Sequence, residues 1–359
     1  MNTARTLPAA RSATFGVALA ASAFALASTP FSARAEVNLV GSGASFPFPI
    51  YSKWFKDFSG ETEGVRIDYQ AKGSGAGIQD LINGTVDFAA SDAAMNEEEM
   101  AQVKQGVVLL PLTAGEVVLA YNLEGVEELN LPRDVYPEIF TGAISKWNDE
   151  RIAAANSDVE LPDEDITVVV RSDSSGTTYV FTGHLSEIDE TFASEIGKSK
   201  SPQWPQSQSF VKAPKNDGIT ATIAQTPGAI GYIEYGYAKL TETPSALLEN
   251  ASGNFVAAGA ESGAAALAAA EFGDETLPGS EVPNLIAWVW DPEGADAYPI
   301  VSFTWLLAYA DQDDEKAEAL RSFVDYAVSE GQESSDELGY IPLPESVVER
   351  VSDAATHIE

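Results

Sequence analysis

The stretch Val168-Val169-Val170-Arg171-Ser172-Asp173-Ser174-Ser175-Gly176-Thr177-Thr178-Tyr179-Val180-Phe181 decides how this chain is read. Three β-branched residues end a buried strand, a turn of small polar residues follows, and an apolar run continuing through Leu185 opens a helix. A strand that stops in such a turn and restarts as a helix aims free backbone N–H groups, and the positive end of the helix dipole, at one point. That is a place for an anion. Ser175 and Thr177 add hydroxyl donors, Arg171 adds a guanidinium, and Asp173 is spaced to hold that guanidinium. The same residues also suit an ordinary capped helix with a surface ion pair, because Ser, Asp and Gly are common turn residues. The stretch therefore needs support from the rest of the chain.

Upstream, the same design recurs. Glu36–Val40 reads as a strand ending in Gly41-Ser42-Gly43-Ala44-Ser45-Phe46-Pro47, with a helix from about Pro47 to Phe58. Val65–Gln70 is a second strand, running into Lys72-Gly73-Ser74-Gly75-Ala76-Gly77 and a helix through Ile78, Leu81 and Ile82. Val86–Ala90 is a third, ending in Ser91-Asp92-Ala93 before an acidic helix over Glu97–Val103. This rhythm predicts a largely parallel sheet with helices outside and ligands at the carboxyl ends of strands. Val107–Leu112 and Val117–Tyr121 read as two strands around Thr113-Ala114-Gly115, the first crossing into a second domain. Leu131–Trp147 reads as helix with a break at Thr141-Gly142, Lys198–Lys215 as loop, and Asp217–Gln225 as a short helix. Ala229–Tyr235 reads as strand and the Ala- and Gly-rich Ser252–Phe272 as helix. Tyr298–Tyr309 reads as an apolar strand carrying the chain back to the first domain, with terminal helices around Ala317–Ala327 and Leu343–Val351.

The totals narrow the classes. The 359 residues suffice for two domains with full cores. Asp and Glu number 55 against 20 Lys and Arg, a formal charge of -35, which makes nucleic acid and anionic membrane poor partners. Cysteine is absent and the two histidines are His184 and His357, so neither thiol chemistry nor a histidine-rich metal site is expected. Arg5, Arg11, the apolar run Phe15–Ala27 and Ala33-Arg34-Ala35 read as a secretory signal over residues 1–35 with cleavage after Ala35. The run is short of the roughly 20 residues of a membrane span. Cleavage would remove three arginines and no acid, taking the charge from -35 to -38.

Four segments, Ser45-Phe46, Ser74, Asp92 and Arg171–Thr177, can converge if the two halves face each other across a cleft. In order along the chain, they and their flanks resemble the periplasmic phosphate-binding proteins of phosphate-specific (Pst) ABC transporters. The resemblance rests on Gly41–Pro47, Gly73–Gly77, Val86–Asp92, Ile139–Asp149, Arg171–Thr177, Asn216-Asp217-Gly218-Ile219 and Pro227–Tyr235. It implies an α/β, type II periplasmic-binding fold of two α/β domains joined by two hinge strands, with the ligand in the cleft. Domain I would take residues 36–111 plus 299–359 and domain II residues 112–298. It implies inorganic phosphate as ligand, held by Ser45, Phe46 (backbone), Ser74, Asp92, Arg171, Ser175, Gly176 (backbone) and Thr177, with Asp173 behind Arg171. It implies no cofactor, a monomer, a periplasmic location and the permease subunits of an ABC importer as partners. The chain departs from the family's usual pattern at Ser45 (commonly Thr), Gly75-Ala76, Ser174 (commonly Gly) and Val170 (frequently Arg), and Ser252–Pro283 matches poorly.

A carboxylate such as Asp92 facing a bound anion is unfavourable unless the anion brings a proton. Phosphate near neutral pH carries one and sulfate carries none, so Asp92 favours phosphate; a site built around one required hydrogen bond can discriminate by roughly 10⁴–10⁵. Arsenate is protonated like phosphate and stays open by this argument, while sulfate and molybdate are disfavoured. A phosphatase using Ser175 as nucleophile and His184 as base is a further reading. His184 lies about two and a half turns beyond Ser175 on the expected helix, too far to share its proton.

Overall fold

One strand passes through the whole molecule. The computed structural model describes residues 36–359; the expected signal segment and its cleavage after Ala35 lie outside the described residues. The strands are β1 (Val37–Gly43), β2 (Val65–Ala71), β3 (Phe88–Ser91), β4 (Val107–Asn122), β5 (Asn130–Leu131), β6 (Thr167–Arg171), β7 (Phe210–Ala213), β8 (Ala229–Glu234), β9 (Leu247–Glu249), β10 (Phe255–Val256) and β11 (Val301–Tyr309). Eight form one sheet in the order β2-β1-β3-β11-β4-β8-β6-β7; β10, β9 and β5 form a small second sheet. β4 pairs antiparallel with β11 along Val107–Glu116 and with β8 along Val117–Asn122. It is therefore shared by two lobes.

Within each lobe the sheet is parallel: β1 with β2 and β3 in the first, β6 with β7 and β8 in the second. The expectation of a largely parallel sheet holds at the two wings and fails at the centre, where β11 and β4 run antiparallel to their neighbours. The expected break at Thr113-Ala114-Gly115 does not occur. Thr113 to Glu116 pair with Thr304 to Val301, and Ala114 is bridged to Ile341. Tertiary pairing of this kind overrides the weak local signal of a glycine.

Other differences have local causes. The helix expected over Leu131–Trp147 is confined to Tyr136–Thr141, between Pro137 in its first turn and a left-handed Gly142 (φ 81°). Asp149 then caps a separate helix, Glu150–Ala155. The loop expected over Lys198–Lys215 contains β7, an edge strand too short to carry a period. The helix expected over Ser252–Phe272 is reduced to Ala260–Leu267, preceded by β10.

The helices on the first lobe bury Ile50, Tyr51, Trp54, Phe55 and Phe58 of Phe48–Glu61 at helical spacing. Phe55 and Phe58 meet Phe323 of the helix Asp314–Val328 at ring separations of 5.0 and 5.6 Å. On the second lobe, Phe181 stacks on Tyr232 of β8 at 4.4 Å, with Phe140 and Trp204 against the same ring.

Two predictions come from this architecture. In the helix Ser74–Ile82, a Cβ on Gly77 would stand 2.5 Å from Gly43 Cα and 2.8 Å from Ser42 O. Helix propensity alone favours Ala over Gly by about 1 kcal/mol. Backbone cannot yield as a flexible side chain does, so Gly77→Ala should instead destabilise by about 1–3 kcal/mol in denaturant unfolding. The second concerns Glu116, buried in β4 where the lobes join and bonded by Gly259 N–H (2.8 Å) and Ser262 Oγ (3.2 Å). Burial pushes its pKa up to about 8 against those two bonds. The folded state thus holds the proton more tightly than the unfolded state. Its contribution is complete below about pH 4.5 and is lost as pH rises through about 8. Glu116→Gln removes that dependence, so wild type should lose stability relative to Glu116→Gln between pH 5 and pH 9, by up to about 4 kcal/mol. Parallel stability profiles for the two proteins over that range would show the carboxyl to be unperturbed.

Candidate anion-binding site

Strand register brings the first-lobe residues together. Gly43 at the end of β1 lies opposite Ala71 of β2 and Ala90 of β3. The three strands therefore finish level, and the segments just beyond them, carrying Ala44–Phe46, Ser74 and Asp92, share one edge. Successive carbonyls of the first loop are held from three directions. Tyr69 donates to Ala44 O (2.8 Å), Tyr237 to Ser45 O (2.6 Å) and Tyr340 to Phe46 O (2.7 Å). Among the described residues, the N–H groups of Ser45 and Phe46 take up no hydrogen bond.

Asp92 is 1 % exposed. Its Oδ1 accepts from Thr304 Oγ1 at 3.1 Å and its Oδ2 from Thr177 Oγ1 at 3.3 Å, while its own N–H donates to Ser74 Oγ at 3.3 Å. Burial pushes the carboxyl pKa up to about 7, opposed by the Arg171 charge and the hydrogen bonds from Thr304 and Thr177. Asp92 thus holds a proton more tightly than an ordinary carboxylate does.

The second lobe supplies donors. β6 ends in Arg171, whose side chain is 1 % exposed. Nε and Nη2 of its guanidinium hold the two oxygens of Asp173 at 2.8 and 2.6 Å, and Nη1 donates to Thr177 Oγ1 at 3.3 Å. The expected Arg171–Asp173 fork is therefore present. Burial works to raise the Asp173 carboxyl, but Arg171 and the Lys215 N–H outweigh it and hold it low. A guanidinium has five N–H donors, so two remain for other partners. Ser175 caps the helix Gly176–Ile188 by accepting from Thr178 N–H at 3.0 Å. Gly176 opens that helix against the opposite lobe. A Cβ on it would run into Ser74 Oγ and stand 2.5 Å from Asp92 Oδ2, so only glycine allows this approach.

The lobes are closed on each other here. Gly75 N–H donates to Ser174 O (3.0 Å), and Lys200 pairs with Glu99 (2.6 Å). All eight residues expected to face the ligand, Ser45, Phe46, Ser74, Asp92, Arg171, Ser175, Gly176 and Thr177, are buried and belong to this one contact region, with Asp173 behind Arg171.

Sequence reading leaves out several participants. Asn216 enters it only as part of a motif, yet it donates to Ser45 Oγ and Thr177 Oγ1. Thr304 lies in an apolar strand with no local mark of function, and the three tyrosines act from segments far from the loop they hold.

His184 does not serve Ser175. Tyr136 O–H lies 2.8 Å from its Nε2 and the Trp290 carbonyl 2.6 Å from its Nδ1. Burial lowers its pKa to about 4, as suits a neutral ring donating to a carbonyl and accepting from a phenol. Among the described residues, no group of three or more His, Cys, Asp or Glu could hold a metal ion, and no helix is long and apolar enough to cross a membrane.

Comparison with known proteins agrees with this geometry. A family model described as a PBP superfamily domain matches residues 24–331. The phosphate-binding protein PstS of Pasteurella multocida is 37% identical over 317 residues, 88% of each chain. That of Haemophilus influenzae is 37% identical over 331 residues, 91% of this chain and 94% of its own. The fold matches a high-affinity periplasmic phosphate-binding protein, PfluDING, solved with bound phosphate. The TM-score is 0.72 at 23% identity, covering 88% of this chain and 93% of that one. The two-lobed α/β architecture is thus that of a periplasmic binding protein, and the chain belongs to the PstS family of phosphate-binding proteins.

Proposed function

We propose that this protein captures inorganic phosphate between its two lobes and delivers it to the permease subunits of an ABC importer. It is a binding protein, not an enzyme, as are its relatives by name. The observation that carries the reading is Asp92, a buried carboxylate set among donors: the guanidinium of Arg171 and the hydroxyls of Thr177 and Thr304. An acceptor in such a place rewards an oxyanion that still carries a proton. The ligands are Ser45, Ser74, Ser175 and Thr177 through hydroxyls, Phe46 and Gly176 through backbone N–H, Arg171 through its two remaining donors, and Asp92 as acceptor. Asp173 keeps the guanidinium in plane. Sulfate and molybdate, which bring no proton to Asp92, would be refused.

The lobes correspond to residues 36–111 with 299–359 and residues 112–298. Two crossings between the lobes are supported by the chain passing twice through one place, where Val117 N–H donates to Ile300 O at 2.9 Å, while β4 stays paired with β11 as far as Glu116. Residues 1–35 direct export to the periplasm, and the mature protein works as a monomer. Its N-terminal residue should be Glu36, which intact-mass measurement of the exported protein reads directly.

Calorimetry on refolded, phosphate-stripped protein tests the ligand. Phosphate should bind at micromolar concentration or tighter and sulfate far more weakly; comparable binding of the two would remove the reading. Asp92→Asn keeps size but lets the side chain donate as well as accept. Phosphate should still bind, and the ratio of sulfate to phosphate dissociation constants should shrink at least about tenfold, roughly 1.4 kcal/mol. An unchanged ratio with lowered thermal stability would make Asp92 a structural residue only.

A further inference from the structure

Asn216 is fully buried and is not among the ligands assigned above. Its backbone N–H and its Nδ2 both donate to Ser45 Oγ, at 3.1 and 3.0 Å, and Nδ2 also reaches Thr177 Oγ1 at 3.2 Å. Its Oδ1 accepts from Glu234 N–H at 3.0 Å, which fixes the amide with nitrogen toward the hydroxyls. A hydroxyl has one proton and two acceptor lone pairs. The two donors from Asn216 fill both lone pairs of Ser45 Oγ, so its proton must point elsewhere. Thr177 Oγ1 is filled likewise by Asn216 and by Arg171 Nη1 at 3.3 Å, and its proton is turned to Asp92. Ser74 and Ser175 each accept one N–H, from Asp92 and Thr178, and keep a second lone pair, so their protons are not committed in this way.

The backbone supports this arrangement. Lys215, immediately before Asn216, sits in the left-handed region at φ 59°, uncommon for a residue with a side chain. Its N–H is tied to Asp173 Oδ1 at 2.9 Å. The carboxylate that steadies Arg171 thus also holds the residue that aims Asn216 across the lobes.

We infer that Asn216 is a positioning residue that commits the Ser45 and Thr177 hydroxyls to donating, so that Thr177, whose proton goes to Asp92, can only exchange that acceptor for an anion oxygen, and the pocket is selective for an anion whose oxygens accept. The identity of the anion rests on the phosphate reading above; the orientation of the hydroxyls does not. Asn216 and Thr177 lie in one lobe and Ser45 in the other, so the orientation of the Ser45 hydroxyl exists only when the lobes are closed.

The test is a mutant cycle on phosphate-stripped protein with phosphate as probe. Asn216→Ala should weaken phosphate binding about tenfold or more in wild type. In a Ser45→Ala, Thr177→Val background, which lacks the hydroxyls it orients, the same change should cost no more than about threefold. Equal losses in both backgrounds, or no loss in either, would overturn the inference. A wild type that ignores phosphate would instead overturn the ligand assignment. Neutron diffraction of the deuterium-exchanged wild type reads the hydroxyls without any ligand and without relying on a variant that folds. The deuterons on Ser45 Oγ and Thr177 Oγ1 should point away from Asn216; either one lying toward the Asn216 amide would overturn the inference.

Discussion

The structure depends on the burial of Asp92. Taking a carboxylate out of water costs several kcal/mol unless its surroundings compensate. The compensation comes from Arg171 at the end of β6, Thr177 in the next helix and Thr304 in β11. These lie in segments that only the complete two-lobed arrangement brings together. Arg171 in turn is buried and would be costly alone; Asp173 holds it through two bonds, and Asp173 is held by Lys215. Each charge is thus tolerated because of the next, and the chain of dependence runs from one lobe to the other.

The acidity of the molecule does not conflict with an anion site. At physiological salt the screening length is about 8 Å, so surface carboxylates reach a closed cleft weakly. Arg171 and Asp173 nearly cancel as charges. Oriented N–H and O–H dipoles therefore do most of the work near the ligand, as in other sites built at helix starts.

Much of this was legible in the sequence because strands that end in Ser, Gly or Asp before an apolar helical run leave a local mark. Gly41–Pro47, Gly73–Gly77 and Arg171–Thr177 carried it, and the contact region contains all three. The pairing of Arg171 with Asp173 could be read because the two are two positions apart. What escaped was long-range. Asn216 meets Ser45 across 171 positions and Thr304 meets Asp92 across 212, and no local pattern encodes either. The expected break of β4 at Thr113-Ala114-Gly115 fails for the converse reason: its local weakness is removed by pairing with β11.

The continuity of β4 has a mechanical consequence. Its sixteen residues belong to both lobes, and the returning chain at Ile300 is hydrogen-bonded to it. The lobes are therefore not joined by slack linkers that must be stiffened each time they shut. Relative motion has to come from twisting a ladder-bonded ribbon, which behaves as a torsion spring with few degrees of freedom. Loose connections lose conformational entropy on ordering, on the order of 1–2 kcal/mol for each residue fixed. A ribbon held by its own ladder has less of that freedom to lose, and more of the attraction between pocket and ligand is left to appear as affinity.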